Sequence, residues 1–521
     1  MTKTRTRTQK AMTEMTKRHS EKGVVLILSL LLMMTVSVLA ASLMFLSQTE
    51  TYASKNYRLM SQARYGAESG VHKAANYLLN NYAVPGGAGD PLANYNMNVS
   101  PVTFNNQPVV LSSNAAVASN YPVAAVQTAF LNAAAGSLAA GNTTVQYAVS
   151  AKLLSMFQFT EYGTSTPAVV QTWEITSDGS ITGLRDAVVE VSSVLERQAV
   201  SAETYAAFAT GDGCGAITLG GNATTNSYDS TAPRNADGTV AFSNTKGNVG
   251  TNGNLTIGGT TTVNGTLSTP RTGVGRARCR GGSVDAESSS GSATVTGGLV
   301  HLPQSVAYTT PDLPNPLPGT AAQDITSGTT CGTWANCVTN SNGNLTFAGG
   351  TQDAPAAFGN VTATASSTIH LGSSTPGVCP CYYNFNTLSM AGTSQLVIDG
   401  GPVIMNVAGQ SGNPPPSQWA STALNLAGNG IVNNSLDPSN LQILYGGTGN
   451  ITMRGTASNA AVVYAPNASI TIVGGAELYG SLLGASITNT DGTAIHYDAS
   501  LLKKFLTAGQ YMLTSFTWKK F

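Results

Sequence analysis

Side chains able to perform acid–base or nucleophilic chemistry are few in this sequence and widely spaced. Its five histidines form neither an HExxH pair nor a triad-like grouping: His19, His72, His301, His370 and His496. A polysaccharide lyase or hydrolase would need paired carboxylates, or carboxylates beside a basic residue. The acidic residues of the second half, such as Asp399 and Glu477, are scattered along the chain. We therefore predict that the protein is not an enzyme and holds no cofactor or metal, and that His496 is a capping or turn residue.

Six cysteines lie in one region of the chain: Cys214, Cys279, Cys331, Cys337, Cys379 and Cys381. A zinc site usually pairs cysteines separated by about two to four residues with a second such pair or with histidines. The spacings of the last four cysteines do not fit that rule, and His370 is the only histidine close to them in the sequence. An even number of cysteines in an exported domain favours disulfides, so we predict disulfides and leave their pairing open.

The composition bears on the class of partner. Only 10% of the 521 residues are charged, against roughly 25% in a typical soluble protein. Lys+Arg equals Asp+Glu at 25 each, which predicts no nucleic-acid partner. The clearest basic cluster outside the N-terminus lies in a glycine-rich stretch, and we interpret it as a solvated loop rather than a site for an acidic glycan or DNA: Arg271, Arg276, Arg278 and Arg280. With 56 glycines among many Asn, Thr and Val residues, the chain is typical of extracellular β-structure with tight turns.

The N-terminus combines a basic stretch with a long apolar one. Residues 1–22 carry seven basic and two acidic side chains, and Gly23 follows directly. The next residues, from Val24 to Leu46, contain no charge. As a helix this run would span roughly 34 Å, enough to cross a bilayer core of about 30 Å. Because basic flanks stay on the cytoplasmic side, everything after Leu46 is predicted to lie outside the inner membrane.

Three kinds of segment are consistent with this pattern. A cleaved secretory signal has a shorter apolar core and a small-x-small cleavage site, for which Ala40-Ala41-Ser42 is a weak candidate. A plain membrane anchor explains the length but not Lys22-Gly23 placed directly before the apolar run. A prepilin explains both, because its leader is cut on the cytoplasmic side after a glycine and the apolar helix is retained. Residues 21–27 resemble such a cleavage site, with the cut between Gly23 and Val24.

The helical pattern continues past the membrane segment. Small and apolar residues recur at spacings of three and four: Ala53, Tyr57, Met60, Ala63, Ala67, Val71, Ala74 and Leu78. This is one stripe at the helical period. Residues 24–79 are therefore predicted to form one helix of roughly 84 Å.

The outer half of this helix resembles the N-terminal family of PilX-type minor pilins. Residues 62–71 (QARYGAESGV) are similar to the family signature A-x-Y-A-A-E-A-G, with Gly66 and Ser69 where the pattern has alanine. The matching positions, including two upstream, are Glu50, Asn56, Ala63, Tyr65, Ala67, Glu68 and Gly70. The resemblance covers about residues 20–80. It implies a protein that assists initiation, priming or tip formation of a type IV pilus, with other pilins, the assembly machinery, a prepilin peptidase and the inner membrane as partners.

One position departs from the pattern of major pilins, which carry a glutamate at the fifth residue after the cut. Leu28 stands there in this chain. A carboxylate in lipid is costly unless it pairs, commonly with the new N-terminus of a neighbouring subunit. Its absence argues against a bulk fibre subunit and suits a minor pilin made in few copies.

The middle of the chain contains three segments that alternate apolar and polar residues as strands do: Val145–Ala151, Ala168–Thr176 and Ala187–Leu195. A turn is predicted at Ser177–Ser180, and Ile175–Gly179 resembles the I-x-S-x-G phrase of minor pilins. Residues 81–143 are predicted to be loops with a few short elements. We expect a small antiparallel sheet packed on the helix.

The C-terminal region, residues 201–500, consists of short β segments between glycines. The phrase G-N-apolar-T-apolar returns three times, at Gly253–Ile257, Gly343–Phe347 and Gly449–Met453. Many short strands without helices indicate a solenoid or a sandwich, and we favour a right-handed parallel β-helix. Its terminal coil needs a cap, which residues 501–521 are predicted to supply. The stretch from Ala461 to Asp498 also resembles a β-helical domain found fused to pilus and surface proteins.

The predicted fold class is α+β with dominant β. Its parts are a basic leader (1–23), a pilin-like helix (24–80, transmembrane over 24–46), a small β-rich head (81–200), a β-helix (201–500) and a cap (501–521). The predicted function is that of a minor pilin which takes part in pilus assembly and displays the β-helix for adhesion, with an extracellular glycan or surface as candidate ligand. Two alternatives stay open: a membrane-anchored carbohydrate-binding or carbohydrate-active protein, and a minor pseudopilin of a type II secretion system. The predicted location is the inner membrane, with a cytoplasmic N-terminus and a periplasmic bulk, and then the pilus or cell surface.

Overall fold

The structure is a computed structural model that describes residues 5–140, 143–165, 167–182, 186–275, 279, 283–411, 418–454, 459–475 and 477–520, with side chains from residue 24 to residue 519. One long N-terminal helix is followed by mostly β-structure. The chain divides into two compact units. The first comprises Met1–Phe157, Gln171–Arg197 and Gln510–Phe521, and the second comprises Gln158–Val170 and Gln198–Gly509.

Two α-helices and 36 strands follow one another along the described residues. The helices are α1 (Arg5–Asn80) and α2 (Ala124–Ala134), with short 3-10 helices at Leu92–Asn94, Pro438–Asn440 and Ala499–Lys503. The strands are β1 (Thr103–Phe104), β2 (Gln107–Pro108), β3 (Val110–Ser112), β4 (Gly136–Ala140), β5 (Thr143–Thr160), β6 (Pro167–Ile181), β7 (Ala187–Ser201), β8 (Ala207–Ala209), β9 (Ile217–Leu219), β10 (Thr224–Tyr228), β11 (Val249–Thr251), β12 (Leu255–Ile257), β13 (Thr262–Val263), β14 (Leu267–Thr269), β15 (Val274–Gly275), β16 (Glu287–Ser289), β17 (Thr294–Val295), β18 (Leu299–His301), β19 (Ala322–Ile325), β20 (Cys337–Ser341), β21 (Asn344–Phe347), β22 (Ala356–Ala363), β23 (Thr368–Gly372), β24 (Cys381–Met390), β25 (Gln395–Gly400), β26 (Val403–Val407), β27 (Gln410–Ser411), β28 (Gln418–Trp419), β29 (Thr422–Leu426), β30 (Ile431–Val432), β31 (Leu441–Tyr445), β32 (Asn450–Arg454), β33 (Ala460–Val473), β34 (Glu477–Asn489), β35 (Ala494–Asp498) and β36 (Leu506–Lys520).

The first unit packs the outer half of α1 on one sheet. The sheet has the order β3–β5–β6–β7–β36, with β4 beside β5. The pairs β3–β5, β4–β5 and β6–β7 are antiparallel, in agreement with the antiparallel head expected from the sequence. The three predicted strand segments lie inside β5, β6 and β7.

The predicted turn at residues 177–180 is wrong. Ser177 and Gly179 continue β6 and pair with Val191 and Val189 of β7. The turn residues Ser, Asp and Gly are tolerated within this strand because alternate positions face the helix, where Ser177 is fully buried. A glycine is needed at position 179 for another reason, because the helix and the sheet approach each other closely there.

A second helix was not predicted in residues 81–143. Helix α2 has Phe130 fully buried, with its ring centroid 5.6 Å from that of Tyr77 on α1. Its N-cap is Val123, whose side chain makes no capping hydrogen bond. The usual start signal of a helix, a Ser, Thr, Asp or Asn cap, is therefore missing from the sequence, and tertiary packing stabilises α2 instead.

The second unit contains a stack of short parallel strands. Neighbouring strands keep their inward positions in register, so that Ile487 of β34, Ile217 of β9 and Leu255 of β12 form one apolar row. All three are fully buried. An aromatic row continues elsewhere in the same core, with Phe358 of β22 stacked at 4.3 Å on Phe347 and 5.2 Å from Phe385. Burial of such rows stabilises strands that are each too short to have a core of their own.

The first and the last strands of this stack pair with each other in its interior, not at its two ends. Strand β8 pairs with β11 on one side and with β34 on the other, and β10 pairs with β13 and with β35. One series of pairs continues from β11 through β14 to β18. The other runs from β34 through β33, β31, β26, β24 and β22 to β19. We call the meeting of β8–β10 with β34–β35 the seam.

The last residues differ from the predicted cap. Residues Gln510–Phe521 belong to the first unit, where β36 extends the sheet beside β7. In the second unit, β34 and β35 already have a parallel neighbour on each side. The last strands of the stack thus pair with the strands that began it.

Candidate assembly surface

Helix α1 contains the predicted membrane segment, and the side chains from Val24 to Leu46 are exposed throughout. Its hydroxyl groups donate to backbone carbonyls one turn earlier: Ser29 to Leu26 (2.8 Å), Thr35 to Leu32 (2.8 Å), Ser37 to Met33 (2.7 Å) and Ser42 to Val38 (2.8 Å). These hydroxyls therefore need no partner from a bilayer. Among the described residues, α1 is the one helix long and apolar enough to cross a membrane.

The predicted cleavage point lies within the same helix. The backbone is helical on both sides of Gly23, and Val24 begins the apolar segment with 54% of its side chain exposed. Leu28 is 63% exposed, so the position that holds a carboxylate in major pilins presents an aliphatic surface here. A cut after Gly23 would leave the new amino group at the first residue of the apolar segment.

The small residues of the signature form the packing face of α1. Ala63 and Ala67 are fully buried. A Cβ added to Gly66 would overlap Val145 of β5, and one added to Gly70 would overlap the hydroxyl of Ser177 on β6. Glycine and alanine thus permit a helix-to-sheet distance that larger side chains would prevent.

The sheet contributes a glycine of its own to this contact. A Cβ on Gly179 would overlap the carbonyl oxygen of Ala63 and lie 2.7 Å from the backbone nitrogen of Ala67. Gly179 and Ser177 belong to the I-x-S-x-G-like phrase, whereas Ala63, Ala67 and Gly70 belong to the helical signature. The two sequence features therefore describe the two sides of one close contact.

The polar residues of the signature lie on the exposed face of α1. Tyr65 is 62% exposed. Arg64 Nε donates to Glu68 Oε1 at 2.8 Å, and the Arg64 guanidinium lies 5.5 Å from the ring centroid of Trp518 on β36. The pair is largely open to solvent, so it contributes little to stability.

A groove of about 730 Å³ runs beside this face. Its lining comes from α1, from the start of β7 and from β36: Ala53, Asn56, Tyr57, Leu59, Met60, Ser61, Arg64, Asp186, Ala187, Val189 and Trp518. The signature position Asn56 therefore lies in the groove wall, whereas Glu50 lies outside the groove on an exposed part of the helix.

The six cysteines form three disulfides: Cys214–Cys279, Cys331–Cys337 and Cys379–Cys381. The second and third join near neighbours in the sequence, and the first closes a separation of 65 residues. All three disulfides lie in the second unit. Sequence spacing alone left this pairing open.

The charged residues of the second unit lie singly or in pairs. His370 Nδ1 lies 2.9 Å from Asp399 Oδ1. His496 is not a turn residue but belongs to β35, where burial lowers its pKa to about 4. Glu203 lies in the core, where burial raises its pKa to about 8 although the Ser481 hydroxyl donates to it. The described residues contain no group of three or more His, Cys, Asp or Glu able to hold a metal.

The structure describes one residue of the arginine cluster, Arg271. Arg271 donates from Nε to the carbonyl of Asn252 (3.0 Å) and from Nη2 to the carbonyl of Asp212 (3.0 Å). Arg271 therefore connects the segment that contains Asn252 to the segment that contains Asp212. Arg276, Arg278 and Arg280 lie outside the described residues.

Comparison with known families bears on α1 directly. Residues 22–72 match the PilX N-terminal family. Over these residues the chain is type IV pilin-like. The match spans the apolar segment and the signature, which are the two parts of α1 that the sequence resemblance singled out.

Other comparisons concern the rest of the chain. Residues 386–504 match a domain of unknown function, DUF7305, which falls in the second unit and includes β34 and β35. The competence-associated pilin ComZ from Thermus thermophilus is similar over 89% of this chain and 98% of its own, at 13% sequence identity. The TM-score of that alignment is 0.23, too low to bear on the fold. No curated protein matches the sequence.

The surroundings of three residues were not predicted from the sequence. Gly179 had a signal, since it closes the I-x-S-x-G-like phrase, but its neighbours suggested a turn. Trp518 lies far along the chain from Arg64, and Glu203 is a single acidic residue among Ser and Ala. Neither has a local pattern that would reveal its surroundings.

Proposed function

We propose that this protein is a minor pilin of a type IV pilus, present in few copies, that takes part in pilus assembly or priming. The observation that carries the proposal is one continuous helix which joins an apolar segment of bilayer length to a family signature packed on a head sheet. Leu28 favours a rare subunit, because a leucine cannot pair with the amino terminus of a neighbour in lipid.

The proposed topology places the residues before Gly23 in the cytoplasm and the bulk of the chain outside the inner membrane. Seven basic side chains among residues 1–22 support this orientation. A prepilin peptidase would remove residues 1–23, and the retained helix would anchor the subunit until it enters the pilus or reaches the cell surface.

We further propose that the parallel strands of the second unit form a β-helix that is displayed for adhesion or another surface interaction. The support is the shared register of inward residues, together with amides that bond from one strand to the next. Asn386 Nδ2, for example, donates to Asn360 Oδ1 at 2.6 Å. An extracellular glycan or surface is the proposed ligand, because the second unit follows the membrane segment in the chain and would lie outside the inner membrane.

The proposed role of the second unit is display rather than catalysis. Glu203 and His496 are buried and would not reach a polymeric substrate. The test incubates the full-length chain with a panel of acidic and neutral polysaccharides. No cleavage is expected; cleavage that is lost in Asp399→Asn or Glu477→Gln would favour a carbohydrate-active enzyme instead.

The decisive experiment for the pilin assignment is the N-terminus of the processed protein. With a prepilin peptidase co-expressed, mass spectrometry should find Val24 as the first residue, and Gly23→Val should leave the leader attached. Ala40→Val is the matched control, since it would block only a secretory cut near residue 42. An intact leader in the wild type, or a cut near Ser42, would contradict the proposal.

A minor pseudopilin would share the same N-terminal processing. Deletion of the gene in its host separates the two functions. Loss of surface pili with normal protein secretion is expected, and complementation by the wild type but not by Gly23→Val should restore pili. Loss of secretion with normal pili would favour the pseudopilin.

A further inference from the structure

The series of strand pairs that leads from the seam to β18 ends in a strand with one neighbour. Leu299 and His301 of β18 pair with Leu267 and Thr269 of β14, and no strand among the described residues pairs with the outer side of β18. Leu299 is 38% exposed and Val300 is 42% exposed, and His301 is exposed as well. We call β18 with these three side chains the open edge.

The backbone of the open edge presents free hydrogen-bonding groups on its outer side. Leu267 donates its N–H to the carbonyl of Gly298 at 2.9 Å, and Leu302 donates to the carbonyl of Thr269 at 2.9 Å. In a parallel ladder with these bonds, both backbone groups of Val300 face β14. The N–H and C=O groups of Leu299 and His301 therefore point away from the stack.

The opposite end of the stack, at β19, is protected. The next strand, β20, pairs antiparallel with β21 and follows a loop that the Cys331–Cys337 disulfide closes. Trp334 in that loop has its ring centroid 6.5 Å from that of Phe347. Asp324 also places an exposed carboxylate on β19. Native sheets prevent pairing at an edge by such covers and charges.

The open edge has neither kind of protection among the described residues, and residues 291–311 contain no Asp, Glu, Lys or Arg. Two copies can therefore meet there without repulsion between like charges. The outward groups are also symmetric, since they lie one residue before and one residue after Val300. We propose that the open edge is an interface between two copies of this chain, in which the two β18 strands pair antiparallel about Val300.

This pairing satisfies the outward groups on both strands. Leu299 and the partner's His301 exchange two backbone hydrogen bonds, and the symmetric pair exchanges two more. Val300 lies directly opposite the partner's Val300, and the apolar core of each stack continues into the other through Leu299. Because the β19 end is protected, the contact closes as a two-fold dimer and does not extend into a filament. The interface does not depend on whether the leader is cut after Gly23.

The test measures the mass of the full-length chain in detergent by analytical ultracentrifugation over a range of concentrations. The wild type should form a dimer, and Val300→Lys should weaken it by about tenfold or more, because two like charges then lie opposite each other. Val338→Lys is the matched control: Val338 is a 57% exposed valine on β20, at the protected end, and its replacement should leave association unchanged. Equal association of all three proteins would come from the apolar helix and would contradict the proposal.

A second measurement uses cysteine crosslinking in the same full-length chain. All six native cysteines are in disulfides, so an added cysteine is the one free thiol. Val300→Cys should form a disulfide-linked homodimer, because opposed Cα atoms at this kind of position lie about 4.5 Å apart, within disulfide range. Val338→Cys should stay monomeric. Crosslinking at neither position, equal crosslinking at both, or crosslinking of Val300→Cys to a different protein without a homodimer would overturn the proposal.

Discussion

Gly179 of the head sheet touches the backbone of the N-terminal helix at Ala63. A Cβ at residue 179 would overlap the carbonyl oxygen of Ala63 and lie 2.7 Å from the backbone nitrogen of Ala67. Both partners are backbone atoms of a regular helix, so neither can move away as a flexible side chain would. The spacing of helix and sheet in the first unit therefore depends on the absence of a side chain at this position.

We predict that Gly179→Ala destabilises the first unit by about 1–3 kcal/mol through overpacking. Urea unfolding followed by tryptophan fluorescence would report this, because Trp173 is fully buried in the same sheet. Gly87→Ala is the control, since a Cβ there meets nothing within 4 Å. Equal midpoints for the two variants would show that the helix and sheet do not approach as closely as described.

The stability of the second unit should depend on pH through Glu203. Burial raises the pKa of its carboxyl to about 8, from 4.5 in an exposed setting. The stabilising form is thus the protonated one: its contribution is complete below pH 4.5 and is lost as the pH rises towards 8. We expect the free energy of unfolding to fall across this window by up to ~1.4 kcal/mol per pH unit.

Thermal unfolding of the full chain between pH 4 and pH 9 checks this expectation. Glu203→Gln keeps an acceptor for the Ser481 hydroxyl and should flatten the profile. Asp212→Asn is the control, because that side chain is 84% exposed and should leave the slope unchanged. If the wild type and Glu203→Gln have the same pH profile, Glu203 does not titrate in the buried state.

The three disulfides should differ in their effect on stability. The Cys214–Cys279 bridge closes 65 residues and the Cys331–Cys337 bridge closes six. From the entropy of loop closure, replacing both cysteines by serine should cost ~4 kcal/mol for the first pair and ~2 kcal/mol for the second. Denaturant unfolding of the two double variants measures the difference, and a larger loss for the short loop would contradict the entropic explanation.

Asn254 should contribute more to stability than Asn450, although both occur in the same repeated phrase. Its Nδ2 donates to the carbonyl of Asp285 (2.9 Å) and to the hydroxyl of Ser288 (3.1 Å), and its Oδ1 accepts from Thr256 (2.8 Å). Asn254→Ala would leave buried polar groups unpaired and should cost about 1–3 kcal/mol. Asn450 is exposed, so Asn450→Ala should cost less than about 0.5 kcal/mol. Comparison of the two unfolding midpoints is the measurement, and equal losses would show that the hydrogen bonds of Asn254 do not stabilise the second unit.

Local pattern was sufficient for helix α1 and for most of strands β5, β6 and β7. The run from Val24 to Leu46 has the length and polarity of a membrane helix, and the stripe that includes Ala63 and Ala67 has the helical period. Strands β5, β6 and β7 alternate because one face is buried and the other is not. Each of these features depends on residues a few positions apart, so the sequence shows them directly.

Only the tertiary structure decided which distant segments meet. The pairing of β8 with β34, the addition of β36 beside β7, the Cys214–Cys279 bridge and the burial of Glu203 all join residues far apart in the chain. Parallel pairing between short strands leaves no periodic trace in sequence, since every strand presents similar apolar inward residues to every other. The sequence by itself therefore determined the helix, its signature and the β-rich character of the remainder. The choice of strand partners was decided by how those interchangeable strands pack together.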